Sequence, residues 1–295
     1  MSETLTLLTA AQTQASWTLR ARAFASENKL FMVGGVIFLL ILLAAVFAEW
    51  IAPYSPTKIA FAQKLQPPSL DHLMGTDKFG RDIFSRVLFG AQTSLAVGAL
   101  VTLGAILIGT PIGLISGYFG GKVDTALMRI SDVFLAFPPL LLPISIVAAM
   151  GPGLVNAMIA LAISWFPWYA RIMRGAVLRV RKEPYIDAAR AMGVGPTKIM
   201  LRHVAPNSLT PIIVQGSMDF GFTILAAASL SFIGLGARPP TIEWGLMAAT
   251  ARTQFLEHWW TALCPGFAIF LTVLAVNLIG DGLRDVLDPK HGISE

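Results

Sequence analysis

Charge is what this 295-residue sequence has least of. Asp, Glu, Lys and Arg make up 13% of it, about half the share usual in a water-soluble domain. Hydrophobic residues reach 55%, so the apolar surface belongs against lipid and the chain reads as an all-α integral membrane protein. It has one cysteine, Cys264, inside an apolar run, which excludes an internal disulfide. The four histidines, His72, His203, His258 and His291, have no metal-ligand spacing. No G-x-x-x-x-G-K-[ST] is present: Gly121-Lys122 lacks both the earlier glycine and the Ser/Thr, which excludes the phosphate loop of an ATPase. H-E-x-x-H is absent, as is a Ser/His/Asp set on one side of a membrane. Net charge is +5, but the basic residues flank apolar spans, which argues against a nucleic-acid partner.

Long apolar runs are what is present. Residues 1–29 are polar or small and precede a run over 30–51 that is long enough to span roughly 30 Å of hydrocarbon. Ala45-Val46-Phe47-Ala48 resembles a signal-peptidase site, but the 29-residue polar front and the length of the run read as an uncleaved first helix. Residues 52–92 are polar and hold His72, Gly75-Thr76-Asp77, Gly80-Arg81-Asp82 and Ser85-Arg86. That block reads as a turn and an amphipathic helix with Ile83, Phe84, Val87 and Leu88 on its apolar side, packing on the bundle rather than catalysing. Further spans are expected over Ser94–Ile115, Ala126–Met150 (broken by Pro138, Pro139 and Pro143), Leu154–Tyr169, within 208–235, and from Trp259-Trp260 to Gly280. The result is six transmembrane helices with both termini on one side. Of the 22 Lys and Arg, 15 fall on the side of the termini and 7 opposite, so the termini are assigned to the cytoplasm. The organisation is then a cytoplasmic tail 1–29, a first span 30–51, an outer loop 52–92, a core 93–280 with five spans and a cytoplasmic loop 171–207, and a cytoplasmic tail 281–295.

The densest positive charge lies in that loop, RVRKEPYIDAARAMGVGPTKIMLRHVAPN over 179–207. Tyr185, Ala188, Ala189 and Met192 fall at i, i+3, i+4 and i+7, one face of a helix. Gly193, Gly195 and Pro196 end it, and Ile199, Met200 and Val204 restart a face that stops at Pro206-Asn207. The plainer reading is a basic loop resting on anionic lipid. The sharper one is a docking element for a soluble partner, because a lipid-bound linker needs no small-residue face, glycine break and second helix in fixed order. One further acid stands out, Asp219 in the fifth span; it faces a bundle or cavity pathway, hydrogen-bonds a neighbouring helix, or lies close enough to the headgroups to be wet.

Asp187-Ala188-Ala189, then Gly193, then His203-Val204-Ala205-Pro206-Asn207 resembles the EAA loop of ABC-importer permeases. The block from His72 to Gly90, the run Ala228–Gly236 with Pro239-Pro240 and Trp244-Gly245, and Gly280-Asp281-Gly282-Leu283-Arg284-Asp285 with Leu287-Asp288-Pro289 resemble the C-type permease subunit of the dipeptide/oligopeptide/nickel family. Asp187 replaces the pattern's Glu, Ala205 its Leu, and Ala227 a Glu common before A-S-L-S-F. The resemblance implies the type I importer permease fold in a bacterial inner membrane. It implies as partners a second homologous permease, two cytoplasmic ATPase subunits that bind ATP and magnesium, an extracytoplasmic substrate-binding protein, and lipid. This chain itself holds no cofactor and no metal. Residues implied in ATPase coupling are Tyr185, Asp187, Ala188, Ala189, Met192, Gly193, His203 and Pro206; Asp219, from its place inside a span, is the candidate for the pathway. Nickel, glutathione or another solute is the alternative cargo, and a stand-alone channel or scaffold the alternative class.

Overall fold

A computed structural model of the chain describes residues 28–287; residues 1–27 and 288–295 of the expected tails lie outside the described residues. The described residues form helices and no strand, with one isolated bridge between Thr76 and Asp82. Helix α1, Lys29–Val46, is apolar all round and buries only Gly34 and Ala45, as suits a helix whose solvent is lipid. It bends at Phe47 into the short α2, Ala48–Ile51.

Helix α3 runs unbroken over Ile83–Phe119, 37 residues, or about 55 Å at 1.5 Å per residue. The sequence suggested a separate amphipathic helix before a span starting at Ser94. Instead Ile83, Val87 and Leu88 are the buried first turns of that same helix, so the expected boundary at residue 92 falls inside it. The polarity shift there marks a change of surroundings, not of backbone, because nothing between the Asp82 N-cap and Pro111 breaks the hydrogen-bond ladder. The expected third span is two pieces, α4, Gly121–Leu135, and α5, Leu141–Met150. Phe137-Pro138-Pro139 separates them, since a residue before proline is pushed out of the α region. Helix α6, Leu154–Val180, continues well past the expected end at Tyr169 and carries Arg171, Arg174 and Arg179 in its last turns. The loop forms α7, Pro184–Ala191, and α8, Pro196–Ile199. Then follow α9, Thr210–Phe232, α10, Trp244–Ala251, and α11, Trp260–Leu287, which carries the helix beyond the expected end at Gly280. Four of these, Lys29–Val46, Ile83–Phe119, Thr210–Phe232 and Trp260–Asp285, are long and apolar enough by themselves to cross a membrane.

The most extensive packing joins α3 to α6. Gly109, Gly113 and Gly117 repeat at intervals of four and so form one stripe of α3. A Cβ at Gly109 would overlap the Phe166 carbonyl oxygen, one at Gly113 the Ala170 carbonyl oxygen, and one at Gly117 the Val177 side chain. Without side chains here the two backbones touch, which is how helices associate where hydrophobic driving force is weak. Arg181, one residue past α6, donates from Nη1 to the carbonyls of Gly117 (2.9 Å) and Tyr118 (3.1 Å), satisfying the end of α3.

Gly113→Val should therefore force these helices apart at a cost of about 1–3 kcal/mol. Gly175→Ala is the contrast, since nothing lies within 4 Å of a Cβ there. Thermal unfolding in detergent should show a lower midpoint for Gly113→Val and an unchanged or higher one for Gly175→Ala.

Candidate functional site

At the α3 C-terminal end of the bundle, α7 and α8 fold as a compact corner. Pro184 starts α7 after the extended Glu183, and Gly193 (φ +77°) ends it. A left-handed residue with a side chain costs about 1 kcal/mol, so glycine suits the bend. The chain then restarts at Pro196, and Met200–Val204 winds as a π turn closed by Ala205 N–H donating to the Met200 carbonyl at 2.8 Å. Ile186, Ala189, Ile199, Met200 and Val204 are buried and join the core that includes Met173 and Val177 of α6. Tyr185, Ala188 and Met192 point outward, Met192 with 76% of its surface exposed.

The four-residue face drawn from sequence is thus divided. Ala189 belongs with Ile186 on the inner side, because residues three apart share a face and Ile186 has the larger apolar surface to hide. Asp187 is exposed and accepts from Arg190 Nη1 at 2.8 Å, an exposed pair that contributes only about 0.3–0.5 kcal/mol. His203 is half-buried and its carbonyl accepts from Asn207 Nδ2 at 2.6 Å, while Pro206 is exposed at the start of the last turn before α9.

Asp219 sits midway along α9 and is half-buried. Tyr169 Oη donates to its Oδ2 at 2.7 Å and Gln215 Nε2 to its Oδ1 at 2.9 Å. It is bonded to α6, and it also lines a cavity of about 640 Å³ with Trp165, Trp168, Phe222, Phe134 and the Pro138-Pro139 break. Gln215 and Ile172 also line a second cavity, about 690 Å³, that reaches Arg179 and Arg284 at the loop end. Ala227, where the resembling family commonly has Glu, is buried in the core and lines neither cavity.

Two ion pairs brace α4 against α6. Arg174 Nε and Nη2 each reach the Asp124 carboxylate at 2.6 Å, and Arg171 pairs with Asp132 at 2.6 Å. The hydrogen-bonded Arg174 guanidinium is the main reason that the Asp124 carboxyl is held below its ordinary value, with the Ser116 hydroxyl adding to it.

The block from His72 to Asp82 lies at the opposite end and is a scaffold. His72 Nδ1 and Asp82 Oδ1 are 2.9 Å apart and buried, and Asp82 Oδ2 caps α3 by accepting from Ser85 N and Oγ, each at 2.7 Å. Asp77 accepts from the backbone N–H groups of Phe79 and Arg81 and from Arg81 Nε. Trp244, buried below, donates from Nε1 to the Val87 carbonyl at 2.9 Å. Through these bonds His72, Asp77 and Asp82 tie the loop to the start of α3.

Apolar helices long enough to cross a membrane, packed around a lined cavity, define a multi-pass membrane protein. The chain belongs to the family of binding-protein-dependent transport system inner membrane components, whose model matches residues 109–292. Residues 18–68 match the N-terminal transmembrane domain of oligopeptide transport permease C. It is 48% identical to the dipeptide transport system permease protein DppC of Alkalihalophilus pseudofirmus, over 90% of this chain and 87% of that one. It is 45% identical to the glutathione transport system permease protein GsiD of Escherichia coli, over 95% and 92%. An inward-facing structure of the MetNI methionine ABC transporter shares its fold, with a TM-score of 0.56 at 20% identity over 68% of this chain and 96% of that one.

Sequence reasoning missed Tyr169, Gln215 and the partners Asp124 and Arg174. Gln215 lies one helical turn before Asp219 and was findable by spacing. Tyr169 lies 50 residues away, and no local pattern links it to Asp219. The glycine stripe was visible as G-x-x-x-G-x-x-x-G from Gly109.

Because the Asp124 value is lowered on folding, its pair with Arg174 stabilises the protein above the ordinary carboxylate range, and that stability fades as pH falls through the lowered value. Carbon-13 NMR of labelled aspartate should find its carboxyl titrating below the usual value of about 3.9, and Arg174→Gln should move it back up.

Proposed function

We propose that this chain is the membrane-spanning permease subunit of an ATP-driven importer of di- or oligopeptides. Six transmembrane helices would cross the membrane, the third over 126–150 in α4 and α5 and the fourth over 154–169 in α6, with both termini and the 171–207 loop in the cytoplasm. The excess of Lys and Arg on that side supports the orientation. The observation that carries the reading is the α7–α8 corner, rooted in the core by Ile186, Ile199 and Val204 yet presenting Tyr185, Ala188 and Met192 outward. A lipid-resting loop has no need of that rigid inner anchor. A surface that must transmit force does.

In this reading two ATPase subunits bind ATP and magnesium, and one of them receives the corner in a groove. A second, homologous permease completes the membrane part, and an extracytoplasmic binding protein delivers the peptide. ATP-driven closure of the ATPases would push on α7 and α8, and through the core beneath them on α6 and α9, opening the cavity at Asp219 outward. The chain itself would hold no ATP. The dipeptide permease at 48% identity supports a peptide cargo, and the glutathione permease at 45% supports glutathione as the alternative.

Gly193→Asp tests the coupling. A Cβ at 193 meets nothing within 4 Å in this chain, so the substitution should leave insertion intact while retention of ATPase on purified permease and uptake both collapse. Gly193→Ala should be milder, costing about 1 kcal/mol of backbone strain, and Lys198→Ala milder still. Full ATPase retention with normal uptake in Gly193→Asp would sink the assignment. Orientation is checked in a Cys264→Ser background with single cysteines. An impermeant thiol reagent on intact cells should label Ser55→Cys and Thr241→Cys but not the exposed Thr197→Cys, and the reverse pattern would refute the topology.

A further inference from the structure

We infer that the Asp219 carboxylate is the recognition point for the primary ammonium group of the cargo, the free amino terminus of a peptide. This rests on the reading of the chain as a peptide-importer permease and names the chemistry that its cavity selects. Three observations carry it. First, the hydrogen-bond partners of Asp219 are neutral. Tyr169 Oη and Gln215 Nε2 each donate to a different carboxylate oxygen, which suits an anion that can only accept and leaves its charge uncompensated. Second, Asp219 is the one ionisable side chain among the described residues lining its cavity, and no described Lys, Arg or His forms an ion pair with it. A carboxylate lining a cavity with no cation beside it offers a cationic ligand a place to bind. Third, the remaining walls include Trp165, Trp168, Phe222 and Phe134. The Trp165 and Phe222 rings lie 5.3 Å apart, and aromatic faces attract a cation where a carboxylate alone would not hold it on all sides.

The size and surroundings agree. The cavity, about 640 Å³, falls within the range of small-ligand sites. The adjoining cavity, which shares Gln215 and Ile172, is lined by Arg179 and Arg284; neither is in an ion pair among the described residues. A zwitterionic peptide with its ammonium at Asp219 would meet positive charge toward the loop end, where its carboxylate can follow. An apolar or anionic cargo has no use for a lone acid here.

The test bypasses the binding protein, which makes its own selection. The whole membrane complex, both permeases with their ATPases, is purified in detergent, and binding of alanyl-alanine and of N-acetyl-alanyl-alanine is measured by calorimetry. Wild type should favour the free amine by about tenfold or more, the worth of one charge-assisted hydrogen bond. Asp219→Asn should bring the two ligands to equal affinity while the complex keeps its ATPase subunits, and Asp219→Glu, which preserves the charge, should keep the preference. Equal affinities in wild type, no binding of either ligand, or a preference surviving in Asp219→Asn would overturn the inference. So would a loss in Asp219→Asn that weakens both ligands alike and lowers thermal stability, since the acid would then only tie α9 to α6. The peptide-import reading fails by a different sign: no ATP-driven uptake of alanyl-alanine by the wild-type complex supplied with its binding protein.

Discussion

Backbone contact between α3 and α6 is the constraint on which the other features depend. Lipid tails are as apolar as leucine, so burial from water does not hold two such helices together, and close packing must. The absence of side chains at Gly109, Gly113 and Gly117 lets α6 lie directly on α3. The residues of α6 that meet this stripe, Tyr169, Ala170, Met173 and Val177, thereby take fixed positions, and so do the residues on its other faces. Tyr169 is brought to Asp219, Arg174 and Arg171 to α4, and the chain leaving α6 is delivered to the α7–α8 corner. One helix thus touches the cavity, the brace and the loop.

That arrangement explains how strongly polar groups persist in an otherwise apolar chain. An acid in a span is costly unless it is bonded or faces a cavity, and Asp219 meets both conditions. The Pro138-Pro139 break between α4 and α5 belongs to the same logic. Interrupted helices at membrane depth are tolerated where the freed backbone lines a cavity, and Pro138 and Pro139 line the same cavity as Asp219.

The α7–α8 corner obeys a different rule. Its inner residues, Ile186, Ala189, Ile199 and Val204, are core residues like any other, while its exposed side mixes Tyr185, Ala188 and Met192 with charged residues such as Asp187 and Arg190. Met192 therefore sits on a body continuous with Met173 and Val177 of α6 rather than on a pliant loop. Coupling through contiguous packing needs such a body.

Residue pattern alone determined the helical class, the membrane environment and the position of the loop, because long apolar runs, scarce charge and glycine-proline punctuation act locally. Resemblance, carried by Asp187 to Asn207 and the blocks at either side, named the family. What pattern misplaced were boundaries set by continuity: α3 begins at Ile83 and α6 ends at Val180, since a change of surroundings need not interrupt a helix. The inward turn of Ala189 was hidden because helical spacing says which residues share a face, not which face finds a neighbour. The Tyr169–Asp219 and Arg174–Asp124 pairs each join residues 50 apart. Only the tertiary structure decided them, because such pairs exist once α6 has been seated on its glycine stripe, and no period in the sequence encodes that distance.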